Sequence, residues 1–142
     1  MQVEHVLDFG VAPELVWPWI SEPAKLAQWI RDAQRFEARP PGALAAGSTL
    51  VAYPARGAPI EGRVERCTSA RELVLLVRGL PNEMEVRILF ELSASSGGTH
   101  LVLRAQTELT GLMIFAESMI ASKARAKLEA WSAALRTLVA AG

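Results

Sequence analysis

Two residues of this sequence could act as a general acid or base inside a protected site. Glu117 is the polar interruption in the apolar segment GLMIFAESMIA (111–121), and His5 lies among alternating apolar residues near the start. A cavity around Glu117 would raise the pKa of its carboxyl group by desolvation and suit it to proton transfer. Each residue also has a simpler interpretation, Glu117 as a solvated or salt-bridged helix residue and His5 as a hydrogen-bonded core residue. The sequence does not place the two in contact, although together they would form the strongest acid–base pair available.

The other polar candidates are suited to binding or to the surface. Tyr53, Arg66 and Arg78 could each hold a ligand's oxygen or carboxylate, but the strand register near them is ambiguous, which favours surface positions. Cys67 is the only cysteine, which excludes an intrachain disulfide and a cysteine-based zinc cluster, and no base beside it activates the thiol. The two histidines lack ligand spacing with a carboxylate, and the glycines of SSGGT belong to a hairpin turn rather than a phosphate loop. The sequence therefore predicts no metal and no cofactor.

The composition predicts a single domain over residues 1–142, because 142 residues is the usual length of one domain. Lysine plus arginine and aspartate plus glutamate number 15 each, so the chain lacks the positive charge of a nucleic-acid-binding protein. The start, MQVEHVLDFG, lacks the features of a signal peptide, and no stretch approaches the ~18 apolar residues of a membrane span. These features predict a soluble cytoplasmic protein, and zero net charge favours self-association.

The first thirty residues predict one strand and two short helices. Residues 3–9 alternate between apolar and polar side chains, which is typical of a strand. Pro13 and Pro23 each suit the first turn of a helix, and SEP (21–23) separates the two helices. Pro18 removes a backbone hydrogen bond from the first helix, which must therefore be very short or kinked.

From about residue 33 the hydrophobic period changes to two, which predicts six further strands. Clusters of Gly, Pro, Asn or Ser separate them, and SASSGG (93–98) supplies the hairpin turn between the last two. Apolar side chains line one face of those two strands and charged side chains the other, which is typical of an antiparallel sheet. The six segments are QRFEAR, STLVAY, IEGRVERC, ELVLLV, MEVRILFEL and THLVLRAQTEL.

The alanine-rich C-terminal segment predicts one long helix over 111–140, with Thr110 as its candidate N-cap. An apolar stripe at helical spacing predicts that this helix packs on the dry face of the sheet, with Trp131 buried against it. The stripe comprises Ile120, Ala124, Leu128, Trp131, Leu135 and Leu138.

Two local motifs connect these elements with a known superfamily. One is the helix pair, with Val16, Trp17, Ile20, Ser21, Glu22, Pro23, Leu26 and Trp29, and the other is the turn into the last strand, with Gly97, Gly98, Thr99 and Leu101. Both resemble motifs of the START-like (helix-grip, SRPBCC) superfamily, in the branch named for polyketide cyclases/dehydrases and lipid transport. The resemblance covers the whole chain. It implies an α+β helix-grip fold, in which a seven-stranded curved antiparallel sheet wraps around a long C-terminal helix and two short helices lie between strands 1 and 2.

The resemblance also implies a cavity between the sheet and the C-terminal helix, closed by the two short helices. Because the helix stripe is small at Ala121 and Ala124 and bulky from Leu128 onward, we expect the open part near residues 113–124. A fully packed interior is the alternative, since natural cores hold few voids. The tryptophans of the helix pair are expected to be packing residues. The predicted cavity residues are His5, Leu7, Val86, Ile88, Phe90, Leu101, Leu103, Ala105, Met113, Glu117, Ile120, Ala121 and Ala124.

Three functions are compatible with this pattern. The first is binding of a hydrophobic or amphipathic small molecule, such as a lipid or polyketide-like compound, in the cavity. The second is a cyclase or dehydratase-type enzyme that needs neither a metal nor a nucleotide cofactor. The third is an accessory protein that resembles the carbon-monoxide-dehydrogenase-associated relatives. Catalysis needs polar groups that converge in the pocket, and the inward faces are almost uniformly apolar, which favours binding. A homodimer is expected, because the start of the last helix is apolar on more than one side.

Overall fold

The structure is a computed structural model that describes residues 1–141. Its elements are β1 Gln2–Phe9, α1 Pro13–Ser21, α2 Pro23–Trp29, β2 Arg35–Arg39, β3 Thr49–Tyr53, β4 Ile60–Thr68, β5 Glu72–Arg78, β6 Val86–Ser95, β7 Gly98–Gln106 and α3 Glu117–Ala141, with 3₁₀ segments at Pro81–Glu83 and Gly111–Ala116. The strands form one antiparallel sheet in the order β1-β7-β6-β5-β4-β3-β2. This confirms the predicted α+β helix-grip fold, a curved sheet with two short helices between β1 and β2 and a long helix at the C-terminal end.

The strand register places the apolar side chains on the concave face of the sheet. Leu7 of β1 pairs with Leu101 of β7, and Leu73 of β5 pairs with Phe90 of β6, and all four side chains are buried. Because successive side chains of a strand point to opposite faces, one register collects these residues on a single surface. That surface and the apolar side of α3 form the main core of the protein.

The convex face of the sheet is less uniformly polar than the alternation predicts. Val74, Leu76 and Leu89 point to this face, and each is less than a tenth exposed. Long charged side chains lie across the same strands and are joined in ion pairs. Their aliphatic stems can cover apolar neighbours while the charged ends stay in water. The pairs on these strands include Arg87–Glu65, Arg104–Glu4, Arg104–Glu91 and Arg78–Glu85.

The two short helices begin at prolines, as predicted. Pro13 and Pro23 occupy first-turn positions, where a missing N–H removes no helical hydrogen bond. Pro18 lies inside α1, which is only nine residues long and ends three residues later at Ser21. Trp29, at the end of α2, is fully buried, and its indole nitrogen donates a hydrogen bond to the Trp19 carbonyl oxygen at 2.8 Å. The helix pair therefore closes one end of the core with Trp29.

The final helix begins later than predicted. Gly111 has a φ of 61°, a left-handed conformation that an α-helix excludes, and the chain continues as a 3₁₀ segment to Ala116. The side chain of Thr110 makes no capping hydrogen bond. Regular α-helix starts at Glu117, so the first six residues of the predicted helix form a separate segment whose apolar side chains have little cover.

Candidate functional site

An apolar pocket of about 140 Å³ lies on the concave side of the sheet, between strands β2–β6 and Trp131 in the C-terminal half of α3. Its floor consists of Leu26, Leu50, Leu75 and Phe90, all of them buried core residues. Phe90 also packs edge-on against Trp29, with ring centroids 6.1 Å apart. The floor is therefore continuous with the rigid core of the protein.

The rim of the pocket is half-buried and also apolar. Ile30 follows α2, Phe36 belongs to β2, Ile60 begins β4 and Ile88 lies on β6, while Trp131 of α3 closes the opposite side. Among the described residues that line the pocket, Asp32 is the only one with a titratable side chain. A wall of this kind favours an apolar guest, because few polar groups lose water when the guest enters.

Gly62 gives the pocket part of its depth. It lies on β4 opposite Leu50 and Val77, whose side chains share the concave face. A Cβ atom at this position would meet the nearest side-chain atom, Val77 Cγ2, at 3.6 Å, which is ordinary van der Waals contact. A Cβ atom here would therefore fit without a clash, and the absence of a side chain leaves pocket space open.

A hydrogen-bonded group, which we call the rim latch, consists of Asp32, Lys127 and Trp131. Trp131 Nε1 donates a hydrogen bond to Asp32 Oδ1 at 2.8 Å, and Lys127 Nζ donates one to Asp32 Oδ2. Lys127 and Trp131 are one turn apart on α3, so one carboxylate ties the loop after α2 to two positions of the helix. Trp131 was predicted to be buried. It is half-buried instead, because its indole nitrogen turns outward to Asp32 at the surface.

The rim latch keeps Asp32 ionised. Partial burial raises the pKa of its carboxyl group, but the hydrogen bonds from Lys127 and Trp131 and the charge of Lys127 together outweigh burial, so the pKa lies below its ordinary value. An ionised Asp32 can only accept hydrogen bonds. Both of its oxygens already do so within the latch.

Two of the predicted cavity residues line this pocket, namely Ile88 and Phe90. The others lie elsewhere. Met113 and Glu117 border shallow surface grooves near the N-terminus. The remaining predicted residues belong to the packed interface between the sheet and α3 or to its edges, and none of them lines the pocket: His5, Leu7, Val86, Leu101, Leu103, Ala105, Ile120, Ala121 and Ala124.

The displacement of the pocket has a simple physical reason. We expected small residues on the helix to leave a void. Ala121 is instead 7% exposed and belongs to the same core as Val3 and Leu7, because a small side chain lets the helix approach the sheet closely. At the bulky end, Trp131 is half-buried and lines the apolar pocket together with residues of β2–β6. This pocket lies farther along α3 than residues 113–124, where the cavity was expected.

The two acid–base candidates do not meet in this pocket. His5 is half-buried on the concave face opposite Leu103 of β7. Glu117 is exposed at the first residue of α3. Among the described residues no hydrogen bond or ion pair joins them, and neither lines the pocket. The solvated interpretation of Glu117 fits its position.

The other polar candidates lie outside the pocket. The Tyr53 hydroxyl donates a hydrogen bond to Glu37 Oε2 at 2.6 Å, on the convex side of the sheet. Arg66 and Arg78 form surface ion pairs with Glu72 and Glu85. Burial raises the pKa of the Cys67 thiol, which keeps it in its unreactive form. These residues stabilise the sheet surface and contribute nothing to the pocket.

Sequence reasoning missed most of the pocket wall. Asp32 and Lys127 lie ninety-five positions apart in the chain, and no local pattern connects them. Phe36 and Ile60 lie in strands that were predicted correctly, but the pairing of β2, β3 and β4 places them at one pocket mouth. Ile88 and Trp131 were the rim residues that the sequence singled out, Ile88 as an inward-facing strand residue and Trp131 as the only large aromatic residue on the α3 stripe.

The sheet order, the two short helices and the long final helix define a protein of the START-like, helix-grip superfamily. Within it, the chain belongs to the family described as "Activator of Hsp90 ATPase homolog 1-like protein", whose sequence model matches residues 11–141. The match spans every element of the fold except β1. It confirms the superfamily that the sequence motifs resemble.

Solved structures share this fold at low sequence identity. Protein MLL2253 from Mesorhizobium loti has a TM-score of 0.81 at 14% identity, over 98% of this chain and 96% of that one. CalU16 from Micromonospora echinospora has a TM-score of 0.73 at 16% identity, over 97% and 73%. The Aha1 dimer from Colwellia psychrerythraea has a TM-score of 0.66 at 17% identity, over 96% of each chain. At these identities the likeness concerns the fold alone.

A sequence search among proteins with curated descriptions finds no significant match. In the part of the chain that the structure describes, no helix is both long and apolar enough to cross a membrane. Over the same residues, no group of three or more histidine, cysteine or acidic side chains is arranged to hold a metal ion.

Proposed function

We propose that this protein binds a hydrophobic or amphipathic small molecule in the apolar pocket beneath Trp131, as a cytoplasmic binding protein. The observation that carries the proposal is the composition of the wall, which is apolar except for Asp32 at the mouth. An apolar part of a ligand would bury against Leu50, Leu75 and Phe90. A polar part would remain near the opening. Membership of a superfamily with helix–sheet cavities supports the same function.

Catalysis of the cyclase or dehydratase type is less well supported. Such chemistry needs several polar groups around the reacting atoms. Here one carboxylate borders the pocket, and both of its oxygens already accept hydrogen bonds from Lys127 and Trp131. An ionised carboxylate with a lowered pKa is also a poor proton donor at neutral pH. We therefore place binding before catalysis.

A substitution at Gly62 tests the binding proposal directly. A compact single-ring apolar fluorescent probe should bind the wild-type protein with a dissociation constant around micromolar, about −8 kcal/mol. Gly62→Val adds a side chain that projects into the pocket from a position with ordinary contacts. We expect the variant to bind the probe at least about tenfold more weakly, a loss of about 1.4 kcal/mol, with an unchanged circular dichroism spectrum.

Gly10→Val is the matched control, because a Cβ atom at Gly10 would meet nothing within 4 Å and the residue is exposed outside the pocket. This control should retain the wild-type affinity. Equal affinity of the wild-type protein and Gly62→Val would place the probe elsewhere and remove the proposal.

We also propose a homodimer through the 3₁₀ segment. Leu112 and Phe115 are 85% and 88% exposed, and Ile114 and Met119 beside them are more than half exposed. Four neighbouring apolar side chains of this exposure favour a covering partner. The dimeric state of the Aha1 neighbour from Colwellia psychrerythraea supports a second copy as that partner.

Light scattering after gel filtration tests the dimer. The wild-type protein should have a dimeric mass at tens of micromolar, and Phe115→Asp should reduce it to a monomeric mass. Leu15→Asp, at another exposed apolar residue (63%), is the control and should leave the dimer intact. A monomeric wild-type protein would contradict the dimer without affecting the pocket.

A further inference from the structure

The size of the pocket limits what it can hold. A cavity of about 150 Å³ with apolar walls accommodates a benzene molecule in an engineered protein. The pocket beneath Trp131 has about 140 Å³ and similar walls. An acyl chain of lipid length or a fused polyketide ring system exceeds this volume. The part of a ligand that enters the pocket is therefore no larger than a single ring or a compact aliphatic group of similar volume.

The walls of the pocket differ in their freedom to move. The floor residues Leu26 and Phe90 are at most 1% exposed and pack within the core, so the floor cannot retreat without disrupting it. Trp131 is half-buried, and one hydrogen bond to the loop residue Asp32 fixes its indole ring across the mouth. Trp131 is thus the part of the wall whose position limits the ligand.

The charge at the mouth restricts the ligand further. Asp32 is ionised and lies at the rim, so an anionic group on a ligand would approach a like charge. The ammonium group of Lys127, on α3, pairs with Asp32 Oδ2, whereas Asp32 Oδ1 accepts the hydrogen bond from the Trp131 indole. A neutral ring meets no such penalty, and three aromatic residues of the wall, Phe36, Phe90 and Trp131, offer ring contacts.

We infer that the pocket selects an uncharged single-ring or similarly compact apolar group, and that Asp32 sets this size limit by holding Trp131 across the mouth. Asp32 is a positioning residue here, because it acts through Trp131. The inference rests on the proposed binding function and adds the ligand class. It also identifies the rim latch as the determinant of specificity, so loosening the latch should admit larger ligands.

Toluene and 1-methylnaphthalene are matched probes, since both are neutral and differ by one fused ring. Their binding can be followed by the amide resonance of Gly62, which reports the pocket wall itself. In the wild-type protein we expect toluene to shift this resonance and to bind at least tenfold more tightly than 1-methylnaphthalene. Benzoate, which adds a charge to the smaller ring, should bind at least tenfold more weakly than toluene.

Asp32→Asn and Trp131→Phe test the latch. Asp32→Asn weakens the hold on the indole ring, and Trp131→Phe removes the donor while a ring remains at the mouth. In each variant the preference for toluene over 1-methylnaphthalene should fall below threefold, whereas a merely structural role would weaken both probes alike. Circular dichroism confirms that each variant is folded.

The possible results separate the inference from the function on which it rests. Equal binding of the two probes to the wild-type protein, or a preference that persists in both variants, would overturn the size limit and leave the binding function standing. If no probe shifts the Gly62 resonance in any of the proteins, the binding function fails, and the inference fails with it.

Discussion

The concave face of the sheet has two halves that face α3 in different ways, one packed against the helix and one separated from it by the pocket. On the β1–β7 side, small helix residues such as Ala121 let the helix pack directly onto Val3 and Leu7. On the β2–β5 side, Trp131 of the helix and Leu50 and Leu75 of the sheet line the pocket between the two layers. In this protein, the small helix residues accompany close packing, and the bulky Trp131 borders open space.

This comparison separates residues that stabilise the fold from residues that shape a site. Trp29 and Trp131 are both large, both carry a hydrogen-bonded indole nitrogen, and both contribute to the same interior. Trp29 is fully buried, whereas Trp131 is half-buried and bonded to a surface carboxylate. Substitutions of these two residues should therefore differ in their effects on stability and on binding.

The largest effect is expected for Trp29→Ala. The substitution leaves a cavity beside Phe90, with which Trp29 packs edge-on, and should cost ~3–5 kcal/mol, the usual range for an aromatic residue removed from a core. Urea denaturation of the wild-type and variant proteins measures this difference. A loss below about 1 kcal/mol would show that Trp29 is not part of the stable core of the molecule.

Trp131→Ala should cost less, about 1–3 kcal/mol, because the ring is half-buried and already borders empty space. Full burial, as predicted from the sequence, would have implied the same loss as for Trp29. The same denaturation experiment compares the two variants. A loss for Trp131→Ala equal to that for Trp29→Ala would erase the distinction between the buried and the half-buried tryptophan.

The stability contributed by the rim latch should depend on pH. The pKa of Asp32 in the folded protein lies below its ordinary value of 3.8, so the ionised latch stabilises the fold above pH 3.8. This contribution is lost as the pH falls below that value and through the folded-state pKa. Asp32→Asn should thus be less stable than the wild-type protein at neutral pH, and the difference should shrink in acid. A stability difference that grows in acid would contradict the latch. Lys127→Met should also be less stable than the wild-type protein at neutral pH, with a difference that shrinks in acid.

The smallest effect is expected for Glu117→Gln. Glu117 is exposed at the start of α3 and does not line the pocket, so its loss of charge should change probe affinity by less than about twofold, or ~0.4 kcal/mol. Isothermal calorimetry with toluene measures this. A tenfold loss of toluene affinity would show that Glu117 contributes to the binding site and that ligands reach the β1 half of the concave face.

The sequence predicted the elements better than their assembly. Alternation, proline positions and the SASSGG turn located each strand and both short helices, because these signals are local. The start of α3 was misplaced, since the left-handed Gly111 follows from the path of the chain rather than from residue periodicity. The pocket near Trp131 depends on long-range strand register and on the distance between the sheet and α3, and no local sequence pattern shows either of them. Asp32 carries no local signal of its contact with Trp131.

The pairing of β1 with β7 has a consequence for how the chain folds during synthesis. Gln2 lies opposite Gln106, so the first strand finds its neighbour only after more than a hundred residues have been made. Strands β2 to β6 pair with sequence neighbours and can assemble while the chain is still growing, whereas closing so long a loop is slow. β1 must remain an unpaired strand with one exposed apolar face during that interval. Its docking with β7 completes the face on which α3 packs, so the three elements are expected to become stable together and last.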